Sequence, residues 1–212
     1  MFADRRDAGR KLAAALQDYA GKNPVVLALP RGGVPVAFEI AQALGAPLDL
    51  IMVRKIGAPF NPEYGLGAVV DGAEPQVVLN EDVMRMLAPG DEYVAQETQR
   101  QLAEIERRRA AYLGDRAPIP LRGRTIIIVD DGVATGGTAR AALRGARKAG
   151  AAKIVLAVPV APKEVIEDLR ADADDIVCLS AEENFQAVGF HYADFSQTSD
   201  EEVVSLLAAA RA

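Results

Sequence analysis

The chain has 212 residues, 50% hydrophobic and 25% charged, with a formal net charge of −6, which is the balance of an ordinary globular domain. No apolar run approaches the roughly 20 residues of a membrane helix, and Met1–Arg10 is charged with no apolar stretch behind it, so neither a membrane protein nor a secreted one is expected. The expectation is a cytoplasmic chain that binds neither membrane nor nucleic acid, since an acidic surface does not displace phosphate counterions. Cys178 and His191 each stand alone in the sequence. That excludes an intramolecular disulfide and multi-cysteine zinc sites, and speaks against a histidine-centred triad. The chemistry must come from carboxylates, Lys/Arg and backbone amides.

In chain order, Phe2, Ala8, Leu12, Leu16 and Tyr19 recur at helical spacing and predict an amphipathic first helix. Val25–Leu29 is a buried-strand run ending at Pro30 and a glycine pair. Val34–Leu44 reads as a helix stopped by Gly45 and Pro47, and Leu48–Val53 as a second strand. Gly57–Gly72 is punctuated by glycines and prolines and reads as a long loop. Gln76–Asn80 is a further candidate strand, and Asp91–Leu113 a charged helix. Then come strand Thr125–Val129, helix Thr138–Ala149, strand Lys153–Val160, helix Pro162–Arg170, strand Asp175–Leu179 and a last helix, Asp200–Ala210. The alternation predicts an α/β fold: a doubly wound parallel sheet of about five strands flanked by helices, with ligands beyond the carboxyl ends of the strands. Three clusters fall at those ends: Arg31-Gly32-Gly33, Arg54-Lys55 and Asp130-Asp131.

Residues 125–138 read TIIIVDDGVATGGT. A buried strand delivers two carboxylates, and Thr135-Gly136-Gly137-Thr138 then opens a helix. Glycines let backbone N–H groups approach a ligand, and the helix start supplies unpaired donors and a positive dipole end, which suits an anion. Adjacent carboxylates suit vicinal hydroxyls or a hydrated Mg²⁺. A phosphate beside a diol describes a ribose 5-phosphate. The dinucleotide, P-loop and hydrolase signatures are missing.

This segment closely resembles the phosphoribosyl-diphosphate (PRPP) motif of type I phosphoribosyltransferases. The resemblance extends from about Val25 to Leu179 and implies one domain over residues 1–212. Its core is about 25–179, with a helical insertion at about 81–117 and a hood from about 180–199 that the N-terminus joins. It implies a Mg²⁺-dependent pentosyl transfer from PRPP to a nitrogenous, nucleobase-like acceptor, with release of pyrophosphate. The alternative on the same fold is a non-catalytic PRPP or nucleotide sensor. A homo-oligomer, most simply a dimer, is expected.

The resemblance also assigns roles. Asp130 and Asp131 hold the ribose hydroxyls and help place Mg²⁺, while Ala134, Thr135, Gly136, Gly137 and Thr138 take the 5-phosphate. Leu29-Pro30-Arg31-Gly32-Gly33 is similar to the pyrophosphate loop, and Val53-Arg54-Lys55 to the basic pair before a mobile catalytic loop, a place that Gly57–Gly72 would fill. The resemblance implies that Arg31, Gly32, Gly33, Arg54 and Lys55 bind pyrophosphate and that Arg54 and Lys55 act in catalysis with Asp130 and Asp131. Phe185–Phe195 is similar to the hood of hypoxanthine-guanine members, which makes Phe185 and Val188 acceptor contacts and Asp194 a metal contact through water. The aromatics there read equally well as core packing, and His191 reads as a structural histidine. Ala134 stands where 6-oxopurine members carry an acid, and Gly132 where a bulky apolar residue is common. Asp91–Arg116, with Arg107-Arg108-Arg109, has no counterpart in the compact purine members and reads as a solvated or oligomer-forming helix, with a lid or partner site as the alternative.

Overall fold

The computed structural model describes residues 1–210, and the side chains of all of these except residues 62–64. The central sheet is built from β1 (Val25–Ala28), β2 (Leu48–Leu50), β6 (Thr125–Val129), β7 (Lys153–Pro162) and β8 (Asp175–Glu182). These five strands are parallel and lie in the order β2-β1-β6-β7-β8. Alternation splits the strands between two cores. Val26, Ala28, Ile127 and Val129 face one side, against α1 (Arg5–Ala15), α2 (Gly33–Leu44) and α7 (Asp200–Ala209). Val25, Leu27, Ile126 and Ile128 face the other, against α5 (Gly137–Lys148) and α6 (Lys163–Leu169). Burial on both faces is why these strands read as continuous apolar runs.

A second sheet is formed by β3 (Val53–Ala58), β4 (Asn61–Val70) and β5 (Gln76–Leu79), in the order β3-β4-β5. The stretch Gly57–Gly72, expected as a loop, is therefore largely an antiparallel hairpin pairing Val53 with Val70 and Ala58 with Asn61. Glycine misled because here it marks close packing: a Cβ at Gly67 would lie 2.2 Å from the Val78 carbonyl oxygen. The side chains of residues 62–64 on this hairpin lie outside the described ones.

Residues 81–113 carry α3 (Glu81–Leu87) and α4 (Asp91–Leu113). The reading of α4 as a merely solvated face is corrected at Arg109, which is buried. Its guanidinium bonds Asp49 at 2.6 Å and Asp71 at 2.9 Å. The same carboxylates accept the backbone N–H groups of Leu50, Ile119 and Met52. Arg109 thus ties α4 to β2 and to the end of β4, whereas Arg107 and Arg108 pair with Glu104 on the exposed face.

The first residues of the chain meet residues 191–194. Phe2 donates its backbone N–H to the His191 carbonyl, and Ala193 and Asp194 donate back to Phe2 and Ala3. This places the N-terminus and residues 191–196 together above the carboxyl ends of β6 and β7.

Candidate active site

β6 ends at Val129, and the next two residues are the carboxylates. Asp130 accepts the Asp131 backbone N–H on Oδ1 at 2.9 Å. Burial and the neighbouring Asp131 push the Asp130 carboxyl well above its ordinary value. Burial raises Asp131 as well, opposed by the Arg5 guanidinium bonded to it. Two desolvated carboxylates side by side leave negative charge that a cation or a hydroxyl-rich ligand relieves.

From Asp131 the chain turns through Gly132 and Val133 to the loop that begins α5. Gly136 has φ +79°, the left-handed conformation that glycine tolerates. A Cβ there would also meet Val165 at 2.8 Å. Ala134, Thr135, Gly137 and Thr138 are exposed, and no protein atom lies within 4 Å of where a Gly137 Cβ would stand. The helix start is therefore open, with its first amides facing solvent. A cavity of about 610 Å³ runs from Gly137 and Thr138 past Lys55 to Arg140 and Arg144, a size suited to a small ligand.

The remaining expected residues divide among three places. Gly32 and Gly33 press against the end of β6: a Cβ at Gly32 would lie 2.0 Å from Asp131 Oδ2, and one at Gly33 would lie 2.6 Å from the Val129 carbonyl oxygen. The Pro30–Arg31 peptide bond is cis. Arg31, at the start of α2, lies 3.5 Å from the Asp200 carboxylate. Arg54 and Lys55 are neighbours in β3, so they point to opposite faces. Lys55 lines the cavity, while Arg54 Nε donates to Gln101 on α4. Arg54, expected with Lys55 to bind pyrophosphate, is not among the residues lining that cavity.

In the terminal segment, Val188 packs on Gly132, and Phe185 stacks on His191 with ring centres 5.7 Å apart. His191 Nδ1 is 3.9 Å from Glu182. Asp194 is exposed and accepts the Ser196 N–H, the main cause of its lowered pKa. Phe195 lies against Tyr192 and Arg5.

Two contacts were missed from sequence. Arg5 Nε donates to Asp131 Oδ2 at 2.7 Å, and the Tyr192 hydroxyl donates to the Asp131 carbonyl at 2.6 Å. The signal for Arg5 is its spacing: it shares the apolar stripe of Ala8 and Leu12, where a charge is out of place unless paired. Tyr192 has no local signal.

The described residues contain no cluster of three or more His, Cys, Asp or Glu able to hold a metal. The Asp130–Asp131 pair nonetheless fits Mg²⁺, which keeps most of its waters and is commonly bound by one or two carboxylates plus substrate oxygens. Among the described residues no helix is long and apolar enough to cross a membrane.

Residues 4–194 match the family described as Phosphoribosyl transferase domain. A Mycobacterium tuberculosis (strain H37Rv) protein provisionally named a phosphoribosyl transferase is 49% identical over 207 residues, covering 98% of this chain and 46% of that protein. The chain therefore spans about half the length of that relative. The adenine phosphoribosyltransferase of Mycobacterium marinum is 31% identical over 175 residues, 80% of this chain and 74% of that protein. A crystal structure of a Thermus thermophilus protein is similar at TM-score 0.85 and 44% identity, covering 98% of each chain.

Proposed function

The chain belongs to the phosphoribosyl transferase family, and from that premise we propose that it transfers the ribose 5-phosphate of PRPP to a planar nitrogenous acceptor, releasing pyrophosphate with Mg²⁺ as cofactor. The observation that carries this is the juxtaposition, within one turn of chain, of the half-buried Asp130–Asp131 pair and the open Thr135–Thr138 helix start.

The nucleophile is the acceptor's ring nitrogen, which forms the new bond to C1 as the bond to pyrophosphate breaks. Positive charge grows on the ribose and negative charge on the leaving group. No protein nucleophile is required, so catalysis rests on orientation and fixed charge. The amides of Gly136, Gly137 and Thr138, with the hydroxyls of Thr135 and Thr138, anchor the 5-phosphate. Asp130 and Asp131 accept from the ribose hydroxyls, and their charge favours the cationic ring. In this reading Lys55, which lines the cavity, and Arg31, at the turn before α2, neutralise the departing diphosphate. Mg²⁺ would supply further neutralisation of that leaving group, held by Asp130 and Asp131, with Asp194 through water.

The acceptor is placed against Phe185 and Val188. Ala134 leaves the position before the T-G-G-T loop without an acid, which argues against a 6-oxopurine, and the likeness to an adenine phosphoribosyltransferase supports an amino-substituted ring. The test is a pyrophosphate-release screen of wild type and Asp131→Asn over amino- and oxo-heterocycles, with PRPP and Mg²⁺. Turnover with one acceptor class, lost in Asp131→Asn, is expected. PRPP binding without turnover by any acceptor would make the protein a sensor, and no PRPP binding at all would overturn the reading.

A further inference from the structure

Helix α1 brings a cation to the strand end where the ribose is placed. Arg5 Nε donates to Asp131 Oδ2 at 2.7 Å, and Nη1 donates to the Ser196 carbonyl at 2.6 Å. The guanidinium carbon lies 4.0 Å from the centre of the Phe195 ring. The side chains of Arg5 and Asp131 are only 12% and 15% exposed. The neighbouring arginines of the helix behave differently: Arg6 and Arg10 are half-exposed and reach for Glu39. Arg5 is thus fixed by an anion, a carbonyl and an aromatic face, all from distant parts of the chain.

Gly32 supplies an independent observation on the same carboxylate. Its missing side chain leaves only enough space for Asp131 Oδ2, since a Cβ there would stand 2.0 Å from that oxygen. Oδ2 is therefore enclosed by Gly32 and Arg5 together. A carboxylate held by one oxygen has its plane set, and only the other oxygen is left to meet a ligand.

We propose that Arg5 is a positioning residue for Asp131: it fixes Oδ2 so that Oδ1 is presented to a ribose hydroxyl of PRPP. This makes α1 and the Phe195–Ser196 segment part of the ribose site, although neither touches the sugar. The inference rests on the ribose-binding reading of Asp131 given above.

A double-mutant cycle tests it, with PRPP–Mg²⁺ affinity read by calorimetry on the full chain and thermal unfolding as the check on folding. Arg5→Gln should weaken PRPP by about 10- to 100-fold, the usual cost of losing a partner that orients a ligating group. Arg5→Lys should recover part of the loss, and Arg6→Gln should stay within about twofold of wild type because its ion pair is on the surface. In an Asp131→Asn background Arg5→Gln should cost less than about threefold, because coupled residues are not additive. Undiminished affinity in Arg5→Gln, or its full effect persisting without the Asp131 carboxylate, overturns the proposal. If Arg5→Gln fails to fold, Phe195→Leu carries the test: it removes the ring that holds the guanidinium and should weaken PRPP several-fold, and unchanged affinity there overturns the proposal equally. A wild-type protein that does not bind PRPP defeats the underlying ribose reading. A wild type that binds it, matched by Arg5→Gln, defeats this inference alone.

Discussion

Gly132 and Val188 approach each other more closely than any side chain at position 132 allows: a Cβ there would lie 2.5 Å and 2.9 Å from the two Val188 methyls, and 3.1 Å from Val160 Cγ1. Gly132 follows the carboxylate pair directly, and Val188 opens the short 3₁₀ turn Val188–His191. The glycine therefore sets the spacing between the Asp130–Asp131 pair and the terminal segment proposed for the acceptor. Gly132→Ala is expected to push Val188 outward, raising the acceptor KM more than it weakens PRPP. Overpacking of this kind costs about 1–3 kcal/mol of stability. Val188→Ala in the same chain should relieve much of both effects. Steady-state kinetics with denaturant unfolding would decide, and a Gly132→Ala enzyme with wild-type constants would show that the contact sets no spacing.

Gly137 is the opposite kind of glycine. Nothing in the protein occupies the space its Cβ would take, and its backbone φ lies outside the positive range. The turn itself depends on Gly136, which is both left-handed and crowded by Val165. Gly137→Val should therefore leave the melting temperature within a degree or two while eliminating ribose 5-phosphate binding, because the added carbons enter the space of the anion. Gly136→Val should damage the fold as well. Calorimetry with ribose 5-phosphate beside thermal melts separates the two. Normal binding by Gly137→Val would remove the phosphate from this loop.

Much of this arrangement is legible in the amino-acid sequence. Five two-sided strands and the acid-acid-to-T-G-G-T run carry strong local signals, because a parallel strand buried on both faces has no polar alternation to blur it. The second sheet was hidden because Gly65 and Gly67 in β4 mimic loop composition, when the close approach of Val78 is what requires Gly67. Arg109 was read with its exposed neighbours because three consecutive arginines conceal which one faces inward, and only the positions of Asp49 and Asp71 settle it. Arg5 and Tyr192 reach Asp131 across 126 and 61 residues, separations over which one sequence has no periodicity to offer.

The carboxylate pair carries a pH signature with two opposed slopes. Both acids are raised in the folded protein, by burial first and, for Asp130, by Asp131 next. In the unfolded chain they titrate near the ordinary value of about 3.9. Between that value and the raised ones the folded state binds more protons than the unfolded state. The pair's contribution to stability therefore rises as pH falls through the window, and the full cost is carried above the raised values. On the proposed role of the pair, PRPP binding needs the anions, so affinity should fall over the same window, above the normal aspartate range. Asp130→Asn keeps the Oδ1 that accepts the Asp131 N–H, and should raise the thermal midpoint at pH 7 while losing PRPP. Melts and calorimetry across pH 4–8 measure both. A destabilised Asp130→Asn, with wild-type affinity flat down to pH 4, would contradict the pair's desolvated state.

Lys55 and Arg54, adjacent in β3, serve different surroundings: Lys55 lines the cavity and Arg54 bonds Gln101 on α4. The pleat of β3 sends Lys55 into the cavity that reaches Gly137 and Thr138, and sends Arg54 to Gln101 and the neighbourhood of Glu97 on α4. A cation facing the leaving group matters most when charge has developed there, so it should contribute more to the transition state than to ground-state binding. Lys55→Ala is expected to lower kcat by roughly 10²-fold, the usual cost of one oriented charge-stabilising group, with a smaller change in PRPP affinity. Arg54→Ala should leave kcat within a few-fold and instead loosen α4, costing about 1 kcal/mol for the part-buried hydrogen bond. Single-turnover rates, PRPP affinity and denaturant midpoints on both variants give the comparison. If Arg54→Ala loses kcat and Lys55→Ala does not, the strand places the wrong side chain against the diphosphate, and the pyrophosphate must lie on the α4 side of β3.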